Sequence, residues 1–155
     1  PLAALAGGRW VAQYDVVDLP PDEVAARLIE LQAQALAQVD ADTDGIYAAV
    51  IGNKQSEYEA AERQANEFAA AGFVGMAGEL VRCWAEIKGW TDQAAAEDII
   101  SESTAWRAAQ AGIRTARLTA KEQIRTAASA QAVQAALGEW AAFRAAVIAQ
   151  LTEEA

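Results

Sequence analysis

A chain of 155 residues is long enough for one domain with a real core and too short to expect two. Its net charge of −10 disfavours sequence-independent binding to nucleic acid or anionic lipid. The lack of any histidine removes the usual general base, the usual metal ligand and every Ser-His or Cys-His nucleophile, and the single cysteine, Cys83, leaves no intrachain disulfide and no Cys-based zinc site.

About a quarter of the residues are alanine, which favours helix at no side-chain entropy cost but offers little apolar area. The five tryptophans and three phenylalanines must therefore carry much of the burial. No apolar run is long enough to span a bilayer. The opening Pro1-Leu2-Ala3-Ala4-Leu5-Ala6 lacks a basic start and is too short for a secretory signal core, so a cytoplasmic origin is expected.

In chain order, residues 1–19 form an extended N-terminal arm. Its RWVAQYDVVDL passage alternates Trp10, Ala12, Tyr14 and Val16 with Val11, Gln13, Asp15 and Val17, the only strand-like pattern in the sequence. A lone strand cannot satisfy its own backbone groups, and no second strand is evident to pair with it. Two readings stay open: the arm docks on another chain through Trp10, Tyr14 and Val16, or it folds back over its own helices.

Residues 20–155 read as a helical domain. Pro20-Pro21-Asp22-Glu23 marks a sharp helix start, and Val24, Leu28, Leu31, Ala35 and Val39 carry an amphipathic stripe that predicts a helix over 21–40. Asp40-Ala41-Asp42-Thr43-Asp44-Gly45 opens like a calcium loop, but its twelfth position is Ile51 where a bidentate glutamate is required. An ordinary turn or helix cap is the expected reading, with no metal site.

From 46 to 71, Tyr47, Ile51, Lys54, Tyr58, Ala61, Ala65 and Phe68 step by four and three, a heptad seam with one polar place at Lys54. If the protein forms homo-oligomers, Tyr47, Ile51, Tyr58 and Phe68 are the expected self-association residues. Gly72, Gly75 and Gly78 make a corner. A short helix over 79–88 turns Leu80, Val81, Trp84 and Ile87 toward the core, with Cys83 a small buried hydrophobe beside Trp84.

Thr91 caps a helix predicted over 92–128, whose Ile99, Trp106, Ile113 and Ile124 line one face with Ala109, Ala116 and Ala120 between them. At about 1.5 Å per residue it would reach roughly 55 Å. Away from that stripe lie Arg107, Arg114, Arg117, Lys121 and Arg125, either a solvated face paired with acidic helices or a docking strip for an acidic partner. Ser129 is a cap or kink before a last helix, 130–151, with Val133, Leu137, Trp140, Arg144, Val147 and Leu151 in step. The fold class is all-α: an elongated bundle of long Ala-rich helices with a short extended arm.

No chemistry is spelled out. Acidic pairs such as Glu97/Asp98 and Glu153/Glu154 fall on polar faces rather than converging in a pocket. No phosphate-cradling loop, dinucleotide fingerprint or zinc helix motif occurs, and no base-stacking surface is indicated. The expectation is a non-enzymatic protein with no catalytic residues and no cofactor.

Gly8-Arg9-Trp10 followed by Val16-Val17-Asp18-Leu19-Pro20-Pro21-Asp22-Glu23-Val24-Ala25-Ala26-Arg27 resembles a segment of small tail-fibre-associated and tail-fibre-assembly proteins of tailed bacteriophages and prophages. Asp44-Gly45-Ile46-Tyr47-Ala48-Ala49-Val50-Ile51-Gly52, Ala85-Glu86-Ile87-Lys88-Gly89-Trp90-Thr91 and Trp106-Arg107-Ala108-Ala109-Gln110-Ala111-Gly112-Ile113-Arg114 look like the helical part of such proteins. The resemblance implies a virion tail component or fibre-assembly chaperone whose partner is a phage tail or tail-fibre protein. The virion tail, or the bacterial cytoplasm during assembly, would be its place. A regulatory module that captures a host or phage protein would show the same helices and is the alternative.

Overall fold

Thirty residues from Pro21 to Val50 form one unbroken helix, α1, with Pro21 in its first turn and Asp22 and Glu23 against the positive end of its dipole. This is a computed structural model that describes residues 2–6, 9–13 and 18–153, with side chains over 18–150. The helix does not stop at Asp40. Val39 and Ile46 are fully buried on either side of the acidic segment, and Thr43, 3% exposed, donates its hydroxyl to the Val39 carbonyl at 2.7 Å. The core side of the segment is thus as continuous as that of any other turn. The predicted boundary between helices at 40–46 is corrected accordingly.

The break falls instead at Gly52, whose φ of +55° suits a residue without Cβ. A 3₁₀ turn over Gly52–Lys54 leads into α2, Gln55–Ala70. The expected heptad seam is therefore divided, with Tyr47 on α1, Lys54 in the turn, and Tyr58 and Phe68 on α2. Gln64 of α2 fastens the next corner: its side-chain oxygen accepts from the Leu80 backbone N–H at 2.8 Å, capping α3, Glu79–Lys88. Gly89 ends α3 in the left-handed region, and the Trp90 N–H returns to the Ala85 carbonyl at 2.9 Å.

Thr91 caps α4, Asp92–Thr126, by accepting from the Ala94 N–H at 3.2 Å, and Ser129 caps α5, Ala130–Glu153, by accepting from the Ala132 N–H at 3.2 Å. These three helices lie close to their predicted bounds. The end of α4 is closed from outside: the Gln32 amide of α1 donates to the carbonyls of Ile124 at 3.0 Å and Ala127 at 3.1 Å.

The five helices pack together around two cores that share α4. Toward its C-terminal end, Ile113, Ala120 and Ile124 meet Val39 and Ile46 of α1 and Val133 and Trp140 of α5. Toward its N-terminal end, Ala95 and Ala96 meet Phe68 of α2 and Val81 and Ala85 of α3. By its rise per residue α4 spans about 50 Å, which is why one helix can serve two cores in succession.

Three expectations on individual positions are corrected. Cys83 is exposed rather than buried, and Ile87 is 68% exposed, because Val81 and Ala85 set the inward face of α3. In the arm, the strand-like passage does have a partner: Arg9–Gln13 (β2) pairs antiparallel with Leu2–Ala6 (β1), in a register that sets Ala4 opposite Val11. The alanine and leucine of β1 have weak strand signatures, so the pairing was not evident from composition.

Candidate functional site

The polar chemistry of this chain is concentrated where α4 meets α1 and α5. Asp40 and Asp42, which open the calcium-like segment, face α4 and α5 respectively. Lys121 donates to both oxygens of Asp40, at 2.6 and 2.7 Å. Asp42 accepts the Trp140 indole N–H at 3.0 Å and also pairs with the Arg144 guanidinium. The acids are thus spent on cations and an indole between 81 and 102 residues away in sequence. The shielded indole bond to Asp42 is worth about 1.5–3 kcal/mol, while the two ion pairs, with Asp40 49% and Arg144 43% exposed, are screened and add about 1 kcal/mol or less each. Together they favour helix through a composition that otherwise favours a turn.

The second core has a matching fastener. The Trp84 indole of α3 donates to Asp98 of α4 at 2.8 Å, so one member of the acidic pair assigned to a solvated face has a structural partner. The Lys88 amine lies 4.7 Å from the Trp84 ring centroid and 5.3 Å from that of Trp90.

One turn away from the Asp40–Lys121 pair, α1 and α4 part to leave a cavity of about 300 Å³ lined by Thr43, Tyr47, Gln110, Ile113, Arg114 and Arg117. Tyr47 is held there by an edge-on contact with Trp106, ring centroids 5.7 Å apart. The Nε of Arg117 is closed off from solvent with no hydrogen-bond partner. A donor in that condition costs about 1–3 kcal/mol. The arrangement can receive negative charge: guanidinium groups, an amide and a phenol converge on one space.

The basic face singled out from the sequence therefore divides in two. Arg107 pairs with Glu62 of α2, Lys121 with Asp40 of α1, and Arg125 with Glu122 on its own helix, in keeping with a face paired to acidic helices. Arg114 and Arg117 have no ion pair among the described residues. Helical spacing placed all five together on α4 but carried no signal of which would lack an acid.

Of the residues assigned to partner contact, Trp10 lies in β2, its side chain outside the described residues, and Tyr14 and Val16 also lie outside them. Those assigned to self-association do not share one helix. Tyr47 is half-buried against Trp106, Ile51 is half-buried at the end of α1, Phe68 is 7% exposed in the second core, and Tyr58 is half exposed. Tyr47 and Phe68 are thus engaged within the chain, which leaves Tyr58 with the most open side chain of the four.

Apolar side chains that the sequence did not assign to a surface stand open on α3 and the connections either side of it: Val74 and Met76, at 75% and 82% exposure, before it, Ile87 on it and Trp90 after it. Among the described residues no helix is long and apolar enough to cross a membrane, and no group of three or more acidic or cysteine side chains is placed to hold a metal ion. Compared with known protein families, curated proteins and solved structures, the chain matches none.

Proposed function

We propose that the chain is a bacteriophage tail protein, a structural component or assembly factor attached to the tail fibre, acting through protein–protein contacts rather than catalysis. The observation that supports a contact role is the exposure of Val74, Met76, Ile87 and Trp90 around α3 while the same helix keeps Val81 and Ala85 buried. Large apolar side chains grouped along a short stretch of chain are what a binding surface presents. The tail-fibre assignment comes from the resemblance in the arm and helices given above.

The test is to tag the full chain in its phage or prophage host, purify particles and tails, and ask by mass spectrometry where the protein resides and what it carries with it. Recovery with tail fibre, in the particle or in assembly intermediates only, is the expected result. Recovery with a host or regulatory protein and never with tail components would replace this reading with the capture module. Alanine at Trp10 and Tyr14 is expected to weaken the fibre interaction; unchanged recovery would remove the arm from the interface. A charged residue at Tyr58 is expected to disrupt any homo-oligomer seen by light scattering, and an undisturbed oligomer would remove Tyr58 from its interface.

A further inference from the structure

Among the described residues Arg107, Lys121, Arg125 and, across on α5, Arg144 have each found a carboxylate. Arg27, Lys54, Arg63, Arg82 and Lys88 have not, but none of them lines the cavity between α1 and α4. Arg114 and Arg117, in the middle of the cationic row on α4, have neither an ion pair nor a hydrogen bond among the described residues, although both line that cavity. No carboxylate lines that cavity. Asp44, beside Thr43 on α1, is exposed and pairs with neither arginine.

Two like charges three residues apart on one helix repel each other, and although Arg114 is exposed to solvent, Arg117 is half-buried, so less water screens its charge. An anion held between them relieves that repulsion. A guanidinium can grip a carboxylate or phosphate end-on through its two terminal nitrogens, in a planar fork that fixes geometry as well as charge. Gln110 and Tyr47, neither of which spends its side-chain donor elsewhere among the described residues, are positioned in the same lining. We propose that this cavity is an oxyanion-binding site, in which Arg114 and Arg117 take a carboxylate or phosphate group and Gln110 and Tyr47 supply further donors. The assignment stands independently of the tail-fibre reading and fails independently of it.

The group could reach the cavity on a free small anion or on the acidic side chain of a bound protein. The full chain, isotopically labelled, is titrated at constant ionic strength with inorganic phosphate, with succinate and with an oligoglutamate peptide, while the arginine Nε–H resonances are followed by NMR. Saturable shifts of Arg114 and Arg117, with Arg107 and Arg125 unmoved, are the expected result. Saturation by phosphate or succinate identifies a free small anion, and saturation by the peptide alone identifies a protein side chain.

Replacing both arginines with glutamine is expected to weaken binding at least about tenfold, the scale of losing charge-assisted contacts, with the thermal midpoint unchanged or raised. If that variant does not fold, Arg117→Lys supplies the second measurement: it keeps the charge, loses the fork, and is expected to bind measurably more weakly. Shifts that sodium chloride reproduces, or binding unaffected by these substitutions, would overturn the site.

Discussion

A side chain at Gly78 has nowhere to go. A Cβ built there would lie 2.7 Å from the Cβ of Gln64, the residue whose amide oxygen caps α3, and a Cβ cannot rotate away as the end of a long side chain can. Gly78→Ala is expected to destabilise the fold by about 1–3 kcal/mol through overpacking and displacement of that cap. Urea unfolding measures it, and a loss within a few tenths of a kcal/mol would mean the corner yields freely. Trp140 offers the complementary test. It is 2% exposed and its N–H is bonded to Asp42, so Trp140→Phe keeps an aromatic ring but removes the donor. A loss of about 2 kcal/mol or more is expected from the bond and the vacated volume together. Combining it with Asp42→Ala, which removes the acceptor, in a double-mutant cycle isolates the coupling, and strict additivity would show that the indole bond contributes nothing.

At the scale of elements, α1 makes a sharp claim through its glycines. Gly45 sits inside the helix with open space where a Cβ would be, and Gly52, at φ +55°, sits where the helix stops. Gly45→Ala is therefore expected to stabilise the protein by about 0.5–1 kcal/mol, and Gly52→Ala to cost about 1–2 kcal/mol. Were Asp40–Gly45 a turn, the first sign would reverse. The same element shows what can be read from one sequence. Thr91, Ser129 and Gly89 announce the ends of α3, α4 and α5 because caps act on neighbours within a few residues. The acids at Asp40 and Asp42 mimic a loop because the partners that keep them helical, Lys121, Trp140 and Arg144, belong to other helices. Gly52-Asn53 carries a turn signal of its own, masked by the apolar steps that run across it. For the oxyanion cavity, the cationic row on α4 was legible, whereas the two positions left without an acid depend on where α1 and α2 lay their carboxylates.

For the whole molecule, the decisive fact is that one helix belongs to both cores. Neither group of helices can shift without disturbing the rod that the other is packed on, so a single cooperative unfolding transition is expected. Ala105, exposed midway along α4 between the buried contacts of the two cores, is the place to test it. Proline there removes one helix hydrogen bond and clashes with the preceding turn, at a cost of about 3 kcal/mol or more. Ala105→Pro is expected to split the transition in two, with amide exchange quickening around the substitution while the flanking cores keep separate protection. One undivided transition at lower stability would show that contacts beside α4 suffice to couple them.

The outward turn of Cys83 has a practical consequence. Because the chain carries one thiol and it faces solvent on α3, a maleimide dye will attach at a single known place without mutagenesis. That place is one helical turn before Ile87, within the stretch that bears the exposed apolar side chains. An environment-sensitive fluorophore there would act as a built-in proximity gauge, brightening when a binding protein covers α3 and staying dim when the partner seats elsewhere.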